Sequence, residues 1–339
     1  MIRGFIVGVA VIMGSGVSGC FMPGRSYSGP VDTGRPETRQ LADRLHASVY
    51  ELSETIGERH IDRPERMNAA VHYIQTRLTQ AGYSVWRQAY PCTPTCHQQA
   101  GCGKEMVVNL IAEVKGTSSD EILVVGAHYD TALHTPGADD NASGVACGLA
   151  LAERFAGSHP QRTIRFVFFA NEEPPFFQTP EMGSWVYARR CRELDEQIVW
   201  MVSLEMMGSF SDQPKSQHYP FPFNWLYPGT GNFIGFVSNF DSGDSLRKTI
   251  GLFRKSCRFP SEGALIPEWI QEGGFSDQWS FWQFGYPGMM ITDTSFFRYS
   301  YYHNWGDTHE KLDYGRMAVV TEGLEAVIAN LAGLQTIPK

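Results

Sequence analysis

The spacing of apolar and polar positions along this chain predicts helices in some segments and strands in others. From Leu41 to Gly57 and again from Pro64 to Gly82, apolar residues recur at helical spacing, and the second segment starts at a proline and ends at a glycine. After them the pattern predicts strands within SVWRQAY, MVVNLIAEVKG, EILVVGA, RTIRFVFFANEE, IVWMVSLEMMG and PGMMITDT. Helices are predicted within ASGVACGLALAERFAG, SWVYARRCREL and DYGRMAVVTEGLEAVIANLAG.

Strands that alternate with helices predict the α/β class. We expect a single doubly wound sheet, mixed but mostly parallel, with helices on both faces. The region from Ser209 to Gly263 interrupts the alternation, and its composition predicts an irregular, aromatic stretch. Ligands of such sheets bind beyond the carboxyl ends of the strands, so the residues that follow each strand are the first candidates for chemistry.

The N-terminal segment predicts export rather than fold. Residues 1–20 contain one basic residue, a short apolar run and then small residues, which is the layout of a secretory signal. The segment ends in VSGC and resembles a bacterial lipobox, in which the cysteine, here Cys20, is acylated and becomes the new N-terminus. An uncleaved anchor and an ordinary signal with a chance cysteine are the alternatives. Residues 21–40, rich in Gly, Pro and Ser, predict a flexible tether to a folded domain over residues 41–339.

Composition, charge and cysteines narrow the possibilities further. The formal net charge of −8 argues against nucleic acid as a partner, because nucleic-acid binders usually display a basic patch. The lipobox predicts a lipid-anchored protein of the bacterial envelope, either periplasmic or at the outer membrane. Cys92, Cys96 and Cys102 cluster in PCTPTCHQQAGC and could hold zinc or form a disulfide, and an exported protein favours the disulfide. Cys147 is expected to be an inert, buried thiol.

Polar residues, most of them ionisable, follow each predicted central strand. They are His128 and Asp130 after the first, Asn171, Glu172 and Glu173 after the second, Glu205 after the third and Asp293 after the fourth, with Asp139 and Asp140 at an intervening helix start. Taken singly, a histidine such as His128 is more often a buried, hydrogen-bonded core residue, and a pair such as Glu172 and Glu173 more often lies in a solvent-exposed loop. Gathered at one edge of a sheet, the acids would repel one another unless a cation lay among them. Imidazole and carboxylate ligands suit zinc or a similar divalent ion, and the number of acids suggests two ions sharing one carboxylate and one water.

Five motifs in order carry a family resemblance: HYD, GADDNASG, NEE, an acid at a strand end, and YYHNWGDT. Together they resemble the zinc aminopeptidases related to bacterial leucine aminopeptidase and glutamate carboxypeptidase, from about Leu41 to the final helix. The resemblance implies two zinc ions per chain and these metal ligands: His128, Asp140, Glu173, Glu205 and His303. It selects Asp140 rather than Asp139 as the bridging carboxylate and implies a cis peptide after it. Glu205 stands where many relatives carry aspartate.

The resemblance also implies roles for residues that do not bind metal. Glu172 is expected to be the general base, and Asp130 is expected to orient His128. Asp307 is expected to support His303. Two other histidines compete for the ligand positions: His134 and His309. Both occur in predicted loops and rank below the matched residues.

The function that follows is a metal-dependent exopeptidase that removes N-terminal residues from a peptide or aminoacyl substrate with a water activated by two zinc ions. A glutaminyl-peptide cyclotransferase with a single zinc is the first alternative, and a non-catalytic binding protein on the same fold is the second. The aromatic stretches YPFPFNWLYPG and FFRYSYY either line a hydrophobic side-chain pocket or fill the core of an irregular insert. The oligomeric state stays open.

Overall fold

The computed structural model describes residues 22–92, 105–219 and 223–334. The predicted signal with Cys20, and the cysteines Cys96 and Cys102, lie outside these residues, so the lipid and disulfide predictions stay predictions. Eight strands of the described chain form one sheet. In the same residues no helix has the length and apolar character needed to cross a membrane.

The sheet mixes parallel and antiparallel pairs. Its strands are β1 Trp86–Cys92, β2 Glu105–Val114, β3 Glu121–His128, β4 Thr163–Phe169, β5 Gln197–Glu205, β6 Ile234–Ser238, β7 Ser261–Leu265 and β8 Met289–Thr292. They lie in the order β1-β2-β4-β3-β5-β8-β6-β7. The four central strands β4, β3, β5 and β8 run parallel, and β6 and β7 pair in parallel at the far edge. The α/β class with a mostly parallel, mixed sheet is confirmed.

Helices cover both faces of the sheet. They are α1 Pro36–Tyr50, α2 Pro64–Gln80, α3 Gly144–Phe155, α4 Gly183–Glu193, α5 Gly243–Ser256, α6 Gln278–Gln283 and α7 Tyr314–Leu331. The larger apolar core packs α1, α2, α3, α5 and α7 against one face. A smaller core on the other face contains Tyr187 and Cys191 from α4 and Phe281 from α6. Because β3 and β4 are covered on both sides, nearly all of their residues are buried and most are apolar.

The region from Ser209 to Gly263 differs from its prediction. It contains strand β6, helix α5 and the start of strand β7, so it is only partly irregular. Helix α5 buries Leu246, Ile250 and Phe253, which recur at helical spacing on one face. The two strands are five residues each, too short to show a clear apolar period.

The predicted tether is also shorter than expected. Helix α1 begins at Pro36 rather than at Leu41, with the proline in its first turn, where the missing N–H has no helical partner to lose. The preceding segment contacts the folded domain: Arg254 donates hydrogen bonds to the carbonyls of Pro23 and Gly24, and the N–H of Ser261 in β7 donates to the hydroxyl of Ser26. Residues from 22 onward therefore lie against the domain.

Candidate metal centre

The ends of two neighbouring strands supply the first cluster of ionisable groups. His128 is the last residue of β3 and Glu205 is the last residue of β5, and these strands pair in parallel. His128 Nε2 lies 3.3 Å from a carboxylate oxygen of Glu205 and 3.4 Å from one of Asp140. All three side chains are buried. This arrangement, named here the strand-end group, could hold one metal ion.

A second cluster shares Asp140 with the first. Its other members are Glu173, just after β4, and His303, in the loop between β8 and α7. His303 Nε2 lies 3.1 Å from the second carboxylate oxygen of Asp140 and 3.1 Å from Glu173. The His303 side chain is 30% exposed, whereas the two carboxylates are buried. This arrangement is named here the loop-side group, and the structure thus brings together all five predicted ligands.

The turn before α3 directs Asp140, and not Asp139, into the centre. The Asp140–Asn141 peptide is cis, as the resemblance implies. Asp139 instead accepts a hydrogen bond from the N–H of Gly208, at 2.9 Å. A Cβ at Gly144 would lie 2.2 Å from the carbonyl oxygen of Leu204, so this glycine lets the turn approach the end of β5 and Glu205.

Asp307 holds the turn that carries Asp140. Its two carboxylate oxygens accept the backbone N–H groups of Asp139 and Asp140, at 2.8 and 3.1 Å. The phenol of Tyr299 donates a third hydrogen bond to it, at 2.9 Å. The late motif therefore contributes one candidate ligand, His303, and one residue that fixes the turn carrying Asp140.

Asp130 and Glu172 lie beside the two groups but belong to neither. An oxygen of Asp130 is 3.4 Å from His128 Nδ1, and its two oxygens accept the N–H groups of Glu172 and Glu173 at 3.1 and 3.0 Å. It can therefore orient the imidazole and also hold the turn after β4. The Glu172 carboxylate is buried and approaches His128 Nε2 to 4.0 Å.

The electrostatics of the centre favour a cation. Burial, followed by the charge of Asp140, raises the pKa of Glu173 to about 7. Burial also raises the pKa of Glu172 and of Glu205. Burial would lower the pKa of His128, but the charges of Glu205 and Glu172 raise it well above its ordinary value. The acids thus destabilise one another's charged forms, and a divalent ion would offset their repulsion.

The donor atoms fit zinc. Nε2 of His128 and one oxygen of Glu173 are buried without a hydrogen-bond partner in the described chain, whereas Nδ1 of His128 faces Asp130. Buried polar atoms are normally paired, so these two need a partner of another kind. Imidazole nitrogen and carboxylate oxygen are both zinc ligands, and each group supplies one histidine and two carboxylates.

Three residues near the centre were not singled out from the sequence. The hydroxyl of Ser276 donates to Glu205 at 2.6 Å, and the ring of Tyr302 stacks on His303 with 3.8 Å between centroids. Tyr302 sits inside the YYHNW motif, so adjacency to His303 could have indicated it. The rival histidines His134 and His309 lie outside both groups.

Arg59 is the third of these residues and is completely buried. Its guanidinium donates to the carbonyl of Tyr129 at 2.7 Å and to those of Pro136 and Gly137, each at 2.8 Å. Two further bonds reach the carbonyls of Leu52 and Gly57. Arg59 thereby fixes both ends of the loop between His128 and Asp140. Burial lowers its pKa to about 10 against the raising effect of nearby acids such as Asp307 and Asp130.

Known proteins resemble this chain in sequence or in fold. The chain is 34% identical over 297 residues to the uncharacterized protein YfbL of Escherichia coli (strain K12), covering 85% of this chain and 88% of that protein. A zinc aminopeptidase of Bacillus subtilis, BSAP, superposes with a TM-score of 0.67 at 14% identity, over 88% of this chain and 96% of that one. A glutaminyl cyclase of Tannerella forsythia superposes with a TM-score of 0.63 at 21% identity, over 85% and 98%. At these identities the two structures show the fold alone.

The model of peptidase family M28 matches residues 109–328. The matched range contains every predicted ligand, together with Asp130 and Glu172. The resemblance to a zinc aminopeptidase family is thereby confirmed, and the chain belongs to peptidase family M28.

Proposed function

We propose that the protein is an aminopeptidase that holds two zinc ions, one in the strand-end group and one in the loop-side group, bridged by Asp140. The observation that carries this proposal is the pair of three-residue groups that share one buried carboxylate. Metal pairs that share a bridging carboxylate in this way are typical of hydrolytic two-metal sites such as aminopeptidases. Membership in a peptidase family supports hydrolysis of a peptide bond.

When bound, two zinc ions would lower the pKa of a shared water and polarise the carbonyl of the substrate. Glu172 is the chain's own group for moving the proton. Its carboxylate is buried beside His128 and belongs to neither metal group, so it is available to accept a proton from water and pass it to the leaving amine. Asp130 holds Glu172 in place through the backbone N–H that it accepts.

An apolar cavity next to the centre supports a substrate with a large apolar side chain. Phe296 in its wall lies 5.6 Å from the ring of Tyr302, and Phe275 directly precedes Ser276, which contacts Glu205. Both aromatic stretches of the sequence contribute to the lining, through Tyr227 from one and Phe296 from the other. This favours the pocket interpretation of those stretches over the core-filling one.

A single substitution tests the proposed chemistry. Glu172→Gln should lower kcat on a chromogenic substrate with an apolar N-terminal residue by about 10²–10⁴-fold, because it removes the proton acceptor. Zinc content should stay at the wild-type value, since Glu172 belongs to neither group. Glu193→Gln, an exposed change on α4, is the matched control and should leave both quantities unchanged. Loss of zinc together with activity would assign Glu172 as a ligand instead of the base.

Glutaminyl-peptide cyclisation is the second candidate, favoured by the fold shared with the Tannerella forsythia cyclase. It would use a single zinc ion, so metal analysis separates it from the leading proposal. Incubation with a peptide that begins with glutamine supplies the direct check by mass spectrometry. Loss of ammonia from an intact peptide would favour cyclisation, whereas release of free glutamine would favour the aminopeptidase.

We also propose that the protein is exported and held at the bacterial envelope by a lipid on Cys20. The lipobox-like VSGC and the apolar run before it support this attachment. Labelling with a radioactive or clickable palmitate should mark the wild-type chain and not Cys20→Ala.

A further inference from the structure

The first described residues are fixed on one edge of the sheet. The side chain of Met22 packs against Gly263 in the edge strand β7 and approaches Ile250 of α5. Pro23 packs against Gly251, and the Arg254 guanidinium donates to the carbonyl oxygens of Pro23 and Gly24. These contacts give the N-terminal end of the described chain a definite position beside β7.

This position limits how far a lipid on Cys20 could lie from the domain. Cys20 precedes Met22 by two residues, so their Cα atoms are at most about 7 Å apart. A free tether over residues 21–40 would instead allow a separation of about 65 Å. The short connection means that an anchored domain could not turn freely above a bilayer. The edge that carries Met22 would have to face the lipid.

Large apolar side chains are exposed at this same edge. Trp225 is 75% exposed, Leu226 is 65% exposed and Trp269 is 62% exposed. The neighbouring Tyr227 donates from its phenol to the carbonyl of Gly263, the residue against which Met22 packs. Trp269 follows the end of β7 by four residues. Tryptophan side chains are enriched where proteins meet the bilayer interface, because the indole ring is apolar with one polar N–H.

Basic residues lie beside the same N-terminal segment. Arg25, Lys255 and Arg258 line a cleft between this segment and the end of α5, in a chain whose overall charge is −8. The acidic Glu262 contacts Arg254 and Ser26 beside this cleft, and Asp244 is exposed at the far end of α5. A local basic excess would attract the anionic headgroups of bacterial phospholipids.

We propose that this edge, defined by Met22, Trp225, Leu226 and Trp269, is a membrane-contacting face that lies on the phospholipid bilayer. The proposal rests on attachment of lipid at Cys20 and does not depend on peptidase activity. Gly263 and Tyr227, which are hydrogen-bonded to each other beside this edge, also line the apolar cavity.

Quenching by brominated lipids tests the orientation. The full-length lipidated chain is reconstituted in vesicles of phosphatidylglycerol and phosphatidylcholine, with or without bromine on the acyl chains, and tryptophan fluorescence is compared. The double variant Trp225→Tyr, Trp269→Tyr should lose most of the bromine-dependent quenching. Trp86→Tyr is the matched control, because Trp86 is 48% exposed on β1 at the opposite edge of the sheet. It should leave the quenching as in wild type.

Three outcomes would overturn the proposal. They are quenching that survives in the double variant, quenching that disappears in Trp86→Tyr, and a wild-type chain that does not float with the vesicles. The same measurement on Glu172→Gln separates this proposal from the proposed enzyme chemistry. An inactive chain that retains the wild-type quenching pattern supports the membrane face whatever reaction the centre catalyses.

Discussion

The two candidate metal groups share Asp140 but are built differently. The strand-end group takes His128 and Glu205 from the ends of paired strands, and every ligand is buried. The loop-side group depends on His303, which comes from a loop, has a positive φ of 54° and is 30% exposed. A sheet fixes the first group through its ladder of hydrogen bonds, whereas a loop and one stacked tyrosine fix the second. We therefore expect an ion in the loop-side group to exchange with solvent more readily.

Removing the shared carboxylate should have the largest effect. Asp140→Asn takes a ligand from both groups at once, so zinc binding should weaken at both and hydrolysis should fall by well over the roughly 10–100-fold that is typical of residues which only orient a ligand. Zinc content after gel filtration and kcat/KM measure this. Asp139→Asn is the matched control and should retain its zinc, because Asp139 bonds to Gly208 instead. Normal zinc content in Asp140→Asn would contradict the shared site.

Separate removal of the two histidines should distinguish the groups. His303→Asn should leave one zinc per chain in the strand-end group. In the wild type, a slow titration with a chelator should release zinc in two phases, and His303→Asn should abolish the faster one. His134→Asn, in an exposed loop outside both groups, serves as the control. A single release phase in the wild type would mean that the difference in exposure does not control exchange.

Substitution of Asp130 should have a smaller effect on zinc binding and activity. Asp130→Asn removes the charge beside His128 Nδ1 and places an amide where the N–H groups of Glu172 and Glu173 need an acceptor. Zinc affinity or activity should fall roughly 10–100-fold, the range for residues that orient a metal ligand. Asp130 contacts His128 of the strand-end group and accepts the N–H of Glu173 of the loop-side group, so both phases of zinc release should become faster. Acceleration of only one phase would limit Asp130 to a single group.

Arg59 should affect stability more than catalysis. Arg59→Met leaves several buried carbonyls without a donor, each at a cost of about 1–3 kcal/mol, and we expect the free energy of unfolding to fall by about 3 kcal/mol. Urea denaturation measures this. Arg189→Met, an exposed change on α4, should stay within about 0.5 kcal/mol of wild type. At saturating zinc the activity of the folded variant should change only a few-fold, and a complete loss would show that Arg59 takes part in the reaction.

The sequence predicted the centre of the fold better than its edge. Strands β3, β4 and β5 are mainly apolar runs followed by polar residues, and this pattern can be recognised from the sequence alone. Strand β7 reads SEGAL and has no apolar alternation, because it lies at the edge and pairs on one side only. The sequence of helix α5 does contain a helical apolar pattern in Leu246, Ile250 and Phe253. It was missed because the surrounding region is rich in aromatic residues.

In the site, too, some features could be predicted from the sequence and others could not. The ligands could be predicted because side chains that follow parallel strands converge, and because the motifs occur in a fixed order. The support of Asp140 by Asp307, and the packing of Arg59 against carbonyls, could not be predicted. Backbone N–H and C=O groups are present at almost every position, so a side chain that bonds to them leaves no pattern in the sequence.

The most direct test of the bridged pair is anomalous diffraction at the zinc edge from crystals of the zinc-loaded protein. The account predicts two peaks on either side of the Asp140 carboxylate, one beside His128 and Glu205 and the other beside Glu173 and His303. One peak alone at full zinc loading, or two peaks that do not share Asp140, would contradict it.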